Sequence, residues 1–323
     1  MKPINEADWL SRLNINITSN SNRIFNNGNN QLQVSVGLTP RKGESITKEQ
    51  LNSVRLVTLD DDGQYRELSG EYRVSRKRDE RFEYYADTGM APSRLLESTA
   101  CSRKFYVSST ASGGSIKTLY AAVTRDEDSH YVSHTSVFNS SVKVETITSP
   151  NRQRSDFKLE RVDALMDTVT DVVEHDRKSW KVKTAVDIDL YHLEFKNPAF
   201  RIVDADAAFQ DGLAATFLGE RDDGEVFWGN NFASPSVEMN LHYLVDPLSQ
   251  VQAFGYRHLS VPINTRAGAM NFIRLQLRGI DPKPEAGPPA PGSFAVLDQY
   301  GNKYKIKMTI EGAGNFMDFR MLR

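Results

Sequence analysis

Two aspartates, Asp187 and Asp189, have the spacing in this sequence that is best suited to acid–base chemistry. Residues two apart on a β-strand share a face and lie about 6.6 Å apart, close to the separation of the paired carboxylates in glycoside hydrolysis. The same spacing recurs at Asp204 and Asp206, and a solvent-facing strand edge explains both pairs without any chemistry. We therefore assign no catalytic residue, and a glycosidase-like hydrolase that uses Asp187 and Asp189 is our last alternative.

His130 and His134 stand four residues apart beside an acidic run, an arrangement that suggests a metal site. On a strand, however, residues four apart are separated by about 13 Å, too far to share one ion. The chain also has only one cysteine, Cys101, and it has no glycine-rich phosphate loop. We predict no metal site and no cofactor.

A sugar-binding site is suggested by aromatic and amide side chains around Gly229. Aromatic faces pack on the apolar faces of sugar rings, while amides bond to hydroxyl groups. Core aromatics beside a polar turn would produce the same pattern. The speculative binding residues are Phe227, Trp228, Asn230 and Asn231.

Nucleic acid is not an expected partner. With 40 basic and 42 acidic residues, the formal charge is −2, which gives no long-range attraction for phosphates. One cluster mixes basic and aromatic residues between positions 72 and 85, but neighbouring carboxylates largely cancel its charge. Its basic members are Arg73, Arg76, Lys77, Arg78 and Arg81.

Short segments in which apolar and polar residues alternate dominate the chain, and this pattern is typical of half-buried strands. Leu32, Val34, Val36 and Leu38 are one example, and Thr47 with Gln50 forms a capping box that predicts one short helix. The fold class we predict is mainly β, with two antiparallel β-sandwich domains, Ig-like or jelly-roll-like, and few short helices.

A chain of 323 residues suits two domains. The polar run at 149–155 predicts a linker between an N-terminal β-sandwich domain at 1–148 and a C-terminal β-rich domain at 156–323. Within the second domain, apolar residues from Val162 to Val173 fall on one helical face, so residues 161–174 are predicted as a helix. Their many β-branched side chains favour a strand and leave that alternative open.

A proline arm at 281–292 holds five of the thirteen prolines and precedes a terminal hairpin at 293–323. Polyproline II is the expected conformation of the arm. Because an isolated hairpin is marginally stable in water, the last strands must join a larger sheet. That sheet belongs either to this molecule or to a neighbouring subunit.

The N-terminus lacks the apolar run of a signal peptide, and no segment of 18 apolar residues occurs. A single cysteine also excludes an intrachain disulfide bond. We expect cytoplasmic synthesis, with release by lysis or by a dedicated secretion system, and no membrane span. A membrane-active protein would need alternating strands of about 9–11 residues.

The leading hypothesis is a non-catalytic structural or interaction protein, possibly a subunit of a bacterial or phage-like surface assembly. Its partner would be a protein, possibly a second copy joined through sheet edges or through the C-terminal hairpin. The first alternative is a toxin-like secreted module that binds a glycan.

Overall fold

The computed structural model describes residues 8–86, 101–127, 129–175, 178–206, 215–220, 225–230, 236–245, 253–262, 265–278, 293–311 and 316–322. The chain forms two compact units. Unit 1 contains residues 1–151 and 299–302, and unit 2 contains residues 152–298 and 303–323. The division after residue 151 falls within the segment that the sequence suggests as a linker.

Unit 1 contains two sheets and one short helix. The first sheet has the strand order β1-β3-β7-β6, and the second has the order β2-β10-β8-β4-β5, with β9 pairing with β8. All pairs are antiparallel except β2 with β10. The strands are β1 (Leu10–Ile17), β2 (Arg23–Phe25), β3 (Leu32–Pro40), β4 (Arg55–Leu59), β5 (Tyr65–Glu67), β6 (Tyr72–Ser75), β7 (Cys101–Ser109), β8 (Ile116–Thr124), β9 (His130–Val132) and β10 (Val142–Ile147).

One apolar cluster takes side chains from both sheets of unit 1. The alternation predicted for β3 is confirmed, since Leu32, Val34, Val36 and Leu38 are all buried. Leu119, Ala121 and Val123 enter the same cluster from β8. The single α-helix, α1 (Lys48–Asn52), begins with the predicted capping box, in which Thr47 and Gln50 bond to each other's backbone N–H.

Unit 2 contains two larger sheets and one separate strand pair. The sheets have the orders β11-β12-β18-β15-β14 and β13-β19-β20-β21, and β16 pairs only with β17. A short 3-10 turn (Arg154–Asp156) precedes them. The strands are β11 (Phe157–His175), β12 (Lys178–Phe195), β13 (Ile202–Asp206), β14 (Ala215–Glu220), β15 (Glu225–Asn230), β16 (Ser236–Val245), β17 (Ala253–Pro262), β18 (Met270–Arg278), β19 (Ser293–Asp298), β20 (Lys303–Glu311) and β21 (Phe316–Met321).

The helix predicted at 161–174 is wrong. These residues lie within β11, a strand of 19 residues that pairs with β12 along its whole length. Thr and Val are frequent in this segment, and their branched side chains fit a pleated sheet better than a helix. The pairing partner lies outside the segment, so the apolar spacing alone could not identify it.

The terminal hairpin joins a sheet of its own chain. Strand β19 pairs with β13 on one side and with β20 on the other, and β21 adds a fourth strand. The proline arm that leads to this hairpin lies outside the described residues.

The mainly β fold class is confirmed, with antiparallel sheets and almost no helix. The Ig-like or jelly-roll-like assignment of each unit stays a prediction. No helix in the described part of the chain is long and apolar enough to cross a membrane.

Candidate functional site

Within the described part of unit 2, the β16–β17 hairpin belongs to no larger sheet. Each strand has ten residues, and they pair in register from Ser236 opposite Pro262 to Val245 opposite Ala253. Ten residues reach about 33 Å along a strand. A strand that crosses a bilayer at a tilt needs about 9–11 residues.

The sequence of β16 alternates strictly along most of its length. One row of alternate positions is entirely apolar: Val237, Met239, Leu241, Tyr243 and Val245. The register places Val261, Leu259, Arg257, Gly255 and Ala253 opposite them. Because residues at alternate positions of a strand share a face, these ten form what we call the apolar row, in which Arg257 is the one charged member.

The second row is mainly polar. On β16 it contains Ser236, Glu238, Asn240, His242 and Leu244. Their partners on β17 are Pro262, Ser260, His258, Tyr256 and Phe254. The contrast with the apolar row makes the hairpin amphipathic with a period of two, which is the pattern of a strand with lipid or core on one side and water on the other.

Strand β12 carries buried side chains on both of its faces. Tyr191, Leu193 and Phe195 of β12 belong to the main apolar core of the unit. Ile188 and Leu190 occupy the alternate positions of β12 and are only 1% and 6% exposed. Strand β16 approaches β12, and β17 approaches β11.

A network of charges borders the same face of β12. Arg266 contacts Glu160 at 2.8 Å and Glu194 at 2.9 Å, and Lys158 contacts Glu194 at 2.8 Å. His192 on this face is buried, and its Nδ1 lies 2.5 Å from the side-chain oxygen of Asn271.

Burial lowers the pKa of His192 below its usual value, since desolvation outweighs the opposing hydrogen bond to Asn271. The imidazole is therefore neutral at pH 7.

The two aspartates with catalytic spacing lie on β12. Asp189 is fully buried, and its carboxylate forms an ion pair with Arg161, at 2.9 Å from the guanidinium Nε. The backbone of Asp187 pairs with Met166 and Gln276. A buried carboxylate beside an arginine is typical of a structural ion pair.

Three of the four predicted sugar-binding residues, Phe227, Trp228 and Asn230, lie on β15. The register pairs Trp228 with Phe217 on one side and with Ile273 on the other. Phe227 is the adjacent residue and thus falls on the opposite face, and Asn230 ends the strand. Asn231 lies outside the described residues, so a site formed by these four residues stays a prediction.

The other sequence motifs of unit 1 are explained by local contacts. His130 Nδ1 lies 3.1 Å from the hydroxyl of Thr124, whereas His134 stacks on Tyr120 with a centroid distance of 4.6 Å. The basic cluster is stacked on rings and paired: Arg78 lies over Tyr84, and Arg81 contacts Asp79 at 2.7 Å. Among the described residues, no three His, Cys, Asp or Glu side chains could hold a metal ion together.

Unit 1 is completed by four residues from the far end of the chain, 299–302. Asn27 donates from its side-chain amide to the carbonyl of Tyr300 at 3.1 Å and to the side-chain oxygen of Asn302 at 2.7 Å. Asn29 donates to the carbonyl of Gly301 at 2.9 Å. We call residues 299–302 the terminal turn. Nothing local in the sequence indicates this contact, which spans more than 270 positions.

No protein-family model and no curated protein sequence matches the chain. Geometry and chemistry are therefore the basis of the functional argument.

Proposed function

We propose that the protein is a toxin-like, non-catalytic module that assembles on lipid membranes, and that the β16–β17 hairpin enters the bilayer. The observation that carries this proposal is the combination of strand length and alternation in that hairpin. Both match what a membrane-crossing strand pair requires. The chain is made in the cytoplasm and released by lysis or by a dedicated secretion system.

The physical step is a change of environment for the apolar row. The hairpin lies near β12 and β11. In the proposed water-soluble form it covers the second face of β12, which carries the buried Ile188 and Leu190. When the hairpin leaves this face, its apolar row exchanges contact with β12 for contact with lipid chains. The N–H and C=O groups at the two outer edges then need partners, because hydrocarbon offers none. Hairpins of neighbouring copies supply these partners by edge-to-edge pairing, so insertion requires assembly.

The proposal is tested by leakage of a fluorescent dye from phosphatidylcholine vesicles. Met239→Asp places a charge in the apolar row opposite Leu259, where burial in lipid costs about 2–3 kcal/mol per residue. The matched control is Asn240→Asp, which adds the same charge at the next position, in the polar row. We expect leakage with the wild type and with the control, and at least a tenfold slower leakage with Met239→Asp.

Leakage that is equal in the two variants would contradict insertion of this hairpin. A wild-type protein that releases no dye over a wide range of concentration and lipid composition would contradict membrane activity itself. Circular dichroism of all three proteins in water checks that the substitutions leave the fold intact.

The second candidate function is a subunit of a bacterial or phage-like surface assembly. It is favoured by the terminal turn, whose backbone is held by the amides of Asn27 and Asn29. The same residues of a neighbouring copy would satisfy these amides equally well, so exchange of the turn would join subunits.

Light scattering coupled to size-exclusion chromatography tests the second candidate. We expect oligomers that Asn27→Ala weakens, whereas replacement of the exposed Asn20 leaves them unchanged. A strictly monomeric protein at high concentration would argue against exchange.

A further inference from the structure

Unit 1 carries a small aromatic cluster on the face of its second sheet that points away from the core. On β8, Leu119, Ala121 and Val123 belong to the main core, whereas Tyr120 and Ala122 belong to a separate cluster. That cluster also contains Val57 and Val132, and Tyr65 packs against it. The second sheet therefore carries apolar side chains on both of its faces.

Three rings form the outer layer of this cluster. The ring of Tyr65 meets Tyr120 edge to face at 6.1 Å, and His134 lies tilted over Tyr120 at 4.6 Å. Tyr65 and His134 are 6.3 Å apart, so the three rings form a compact triangle. Tyr120 is almost fully covered, whereas Tyr65 is partly exposed and His134 is exposed. We call this group the ring triangle.

Apolar and polar groups border the ring triangle on the same face of the sheet. Leu59 pairs directly with Tyr65 and is 38% exposed. Arg55 and Glu67 form an ion pair at 3.3 Å on the adjoining strands, and the side chain of Glu67 is 73% exposed. Partly exposed rings, an exposed aliphatic group and charged hydrogen-bonding groups therefore meet at one place.

We infer that the ring triangle is a binding site for a neutral sugar, with a single pyranose ring of a glycan as its ligand. A pyranose has apolar C–H faces, which pack on aromatic rings, and hydroxyl groups, which bond to imidazole, carboxylate and guanidinium groups. The site offers both kinds of partner within one small area. The Arg55–Glu67 pair leaves no net charge there, so a neutral sugar fits better than an acidic one.

The size of the patch favours a sugar over a protein partner. Stable protein interfaces involve about 20–30 residues on each side and about 800 Å² per partner. Six residues make up this patch: Arg55, Leu59, Tyr65, Glu67, Tyr120 and His134. That area is suited to one or two sugar rings, and binding would bring the protein to a cell surface before any event at the membrane.

Saturation-transfer NMR with the full-length protein tests the site. The probes are methyl glycosides of galactose, glucose, mannose, N-acetylgalactosamine and N-acetylglucosamine, with sialic acid as an anionic comparison. We expect transfer to the ring C–H protons of at least one neutral glycoside, and at least tenfold weaker binding of that glycoside by Tyr65→Ala. The matched control is Tyr106→Ala, which removes a partly exposed tyrosine from the first sheet of unit 1 and leaves binding unchanged.

Two further variants keep the test decisive if Tyr65→Ala disturbs the fold. His134→Ala removes an exposed ring and is expected to weaken binding several-fold, whereas Tyr65→Phe keeps the ring and is expected to retain binding. The inference is overturned if no neutral glycoside gives transfer, if sialic acid alone does, or if the His134 and Tyr106 variants bind equally. Vesicle leakage uses lipids without sugars, so its result is independent of this one.

Discussion

The two units of this chain differ in what they bury. Among the described residues, the buried polar side chains of unit 1 are hydroxyl and amide groups, whereas the buried carboxyl and imidazole groups all lie in unit 2: Asp189, His192 and Asp298. Burying ionisable groups costs free energy that a partner recovers only in part. We therefore expect unit 1 to be the more stable unit. In unit 2, a change of structure should cost less free energy, because it releases buried ionisable groups.

The two units also differ in the length and pairing of their strands. In unit 1, two sheets share one apolar core, and their strands are short. Unit 2 contains the longest strands of the chain, β11 and β12, and a hairpin that pairs with no other strand in the described part of unit 2. An element bonded only within itself can leave without breaking the backbone hydrogen bonds of a sheet.

The largest effect is expected in the core of unit 1. Phe105 is 3% exposed within the shared cluster, so Phe105→Ala should lower the free energy of unfolding by about 3–5 kcal/mol. Urea unfolding measures this change, and Val137→Ala, at a residue that is 39% exposed, serves as a control with almost no effect. A small loss of unfolding free energy in the Phe105 variant would contradict the idea that unit 1 is rigid and that unit 2 is the unit that changes structure.

The buried ion pair of unit 2 comes next. Asp189→Ala leaves the guanidinium of Arg161 beside an apolar core, and because that side chain is 29% exposed, the expected loss is about 2–3 kcal/mol. Replacing both residues by leucine should restore most of the stability, since no buried charge is then left unpaired and Asp163, which also contacts Arg161, is 70% exposed. If the double variant is no more stable than Asp189→Ala, the attraction between Asp189 and Arg161 is itself a net stabilising interaction in unit 2.

A smaller effect is expected in the terminal turn. Gly301 has a φ of +77°, and a Cβ there would lie 2.5 Å from the Cβ of Asn29. Gly301→Ala should therefore cost more than the roughly 1–2 kcal/mol of a left-handed alanine. Gly63→Ala is the matched control, because its φ is +72° and nothing lies within 4 Å. Equal losses in thermal unfolding would show that the contact with Asn29 relaxes freely.

The smallest effect is a pH dependence that arises from His192. Its pKa is lower in the folded state than the usual 6.5, because the ring is buried. The unfolded chain then binds more protons than the folded one as pH falls below about 6.5, so stability present above that pH is lost on acidification. Urea unfolding at pH 7.5 and 5.5 should show a larger drop in the wild type than in His192→Gln. An equal drop in both would assign the pH dependence to other groups.

Local patterns in the sequence were sufficient for much of the fold. The alternation of Leu32, Val34, Val36 and Leu38 and the capping box of Thr47 with Gln50 both reappear in the structure, because each depends on neighbouring residues. The segment 161–174 was read wrongly because its apolar spacing fits a helix and its partner, β12, lies beyond it. The contact of Asn27 with Tyr300 involves residues 273 positions apart, and no local pattern encodes it.

The candidate sites show the same limit. The alternation of β16 can be read from the residues between Val237 and Val245, but its separation from the larger sheets depends on strand pairing. The ring triangle unites Tyr65, Tyr120 and His134, which are far apart in the sequence and carry no shared motif. The spacing of Asp187 and Asp189 was visible, whereas the burial of Asp189 against Arg161 was not.

The central claim, that the β16–β17 hairpin enters the bilayer, is tested most directly by a fluorescence scan. In a Cys101→Ser background, single cysteines are placed at each position from 237 to 245 and labelled with an environment-sensitive dye. With phosphatidylcholine vesicles, we expect blue-shifted emission at Val237, Met239, Leu241, Tyr243 and Val245, and unshifted emission at Glu238, Asn240 and His242. Emission that shows no period of two, or that is the same with and without vesicles, would contradict the claim.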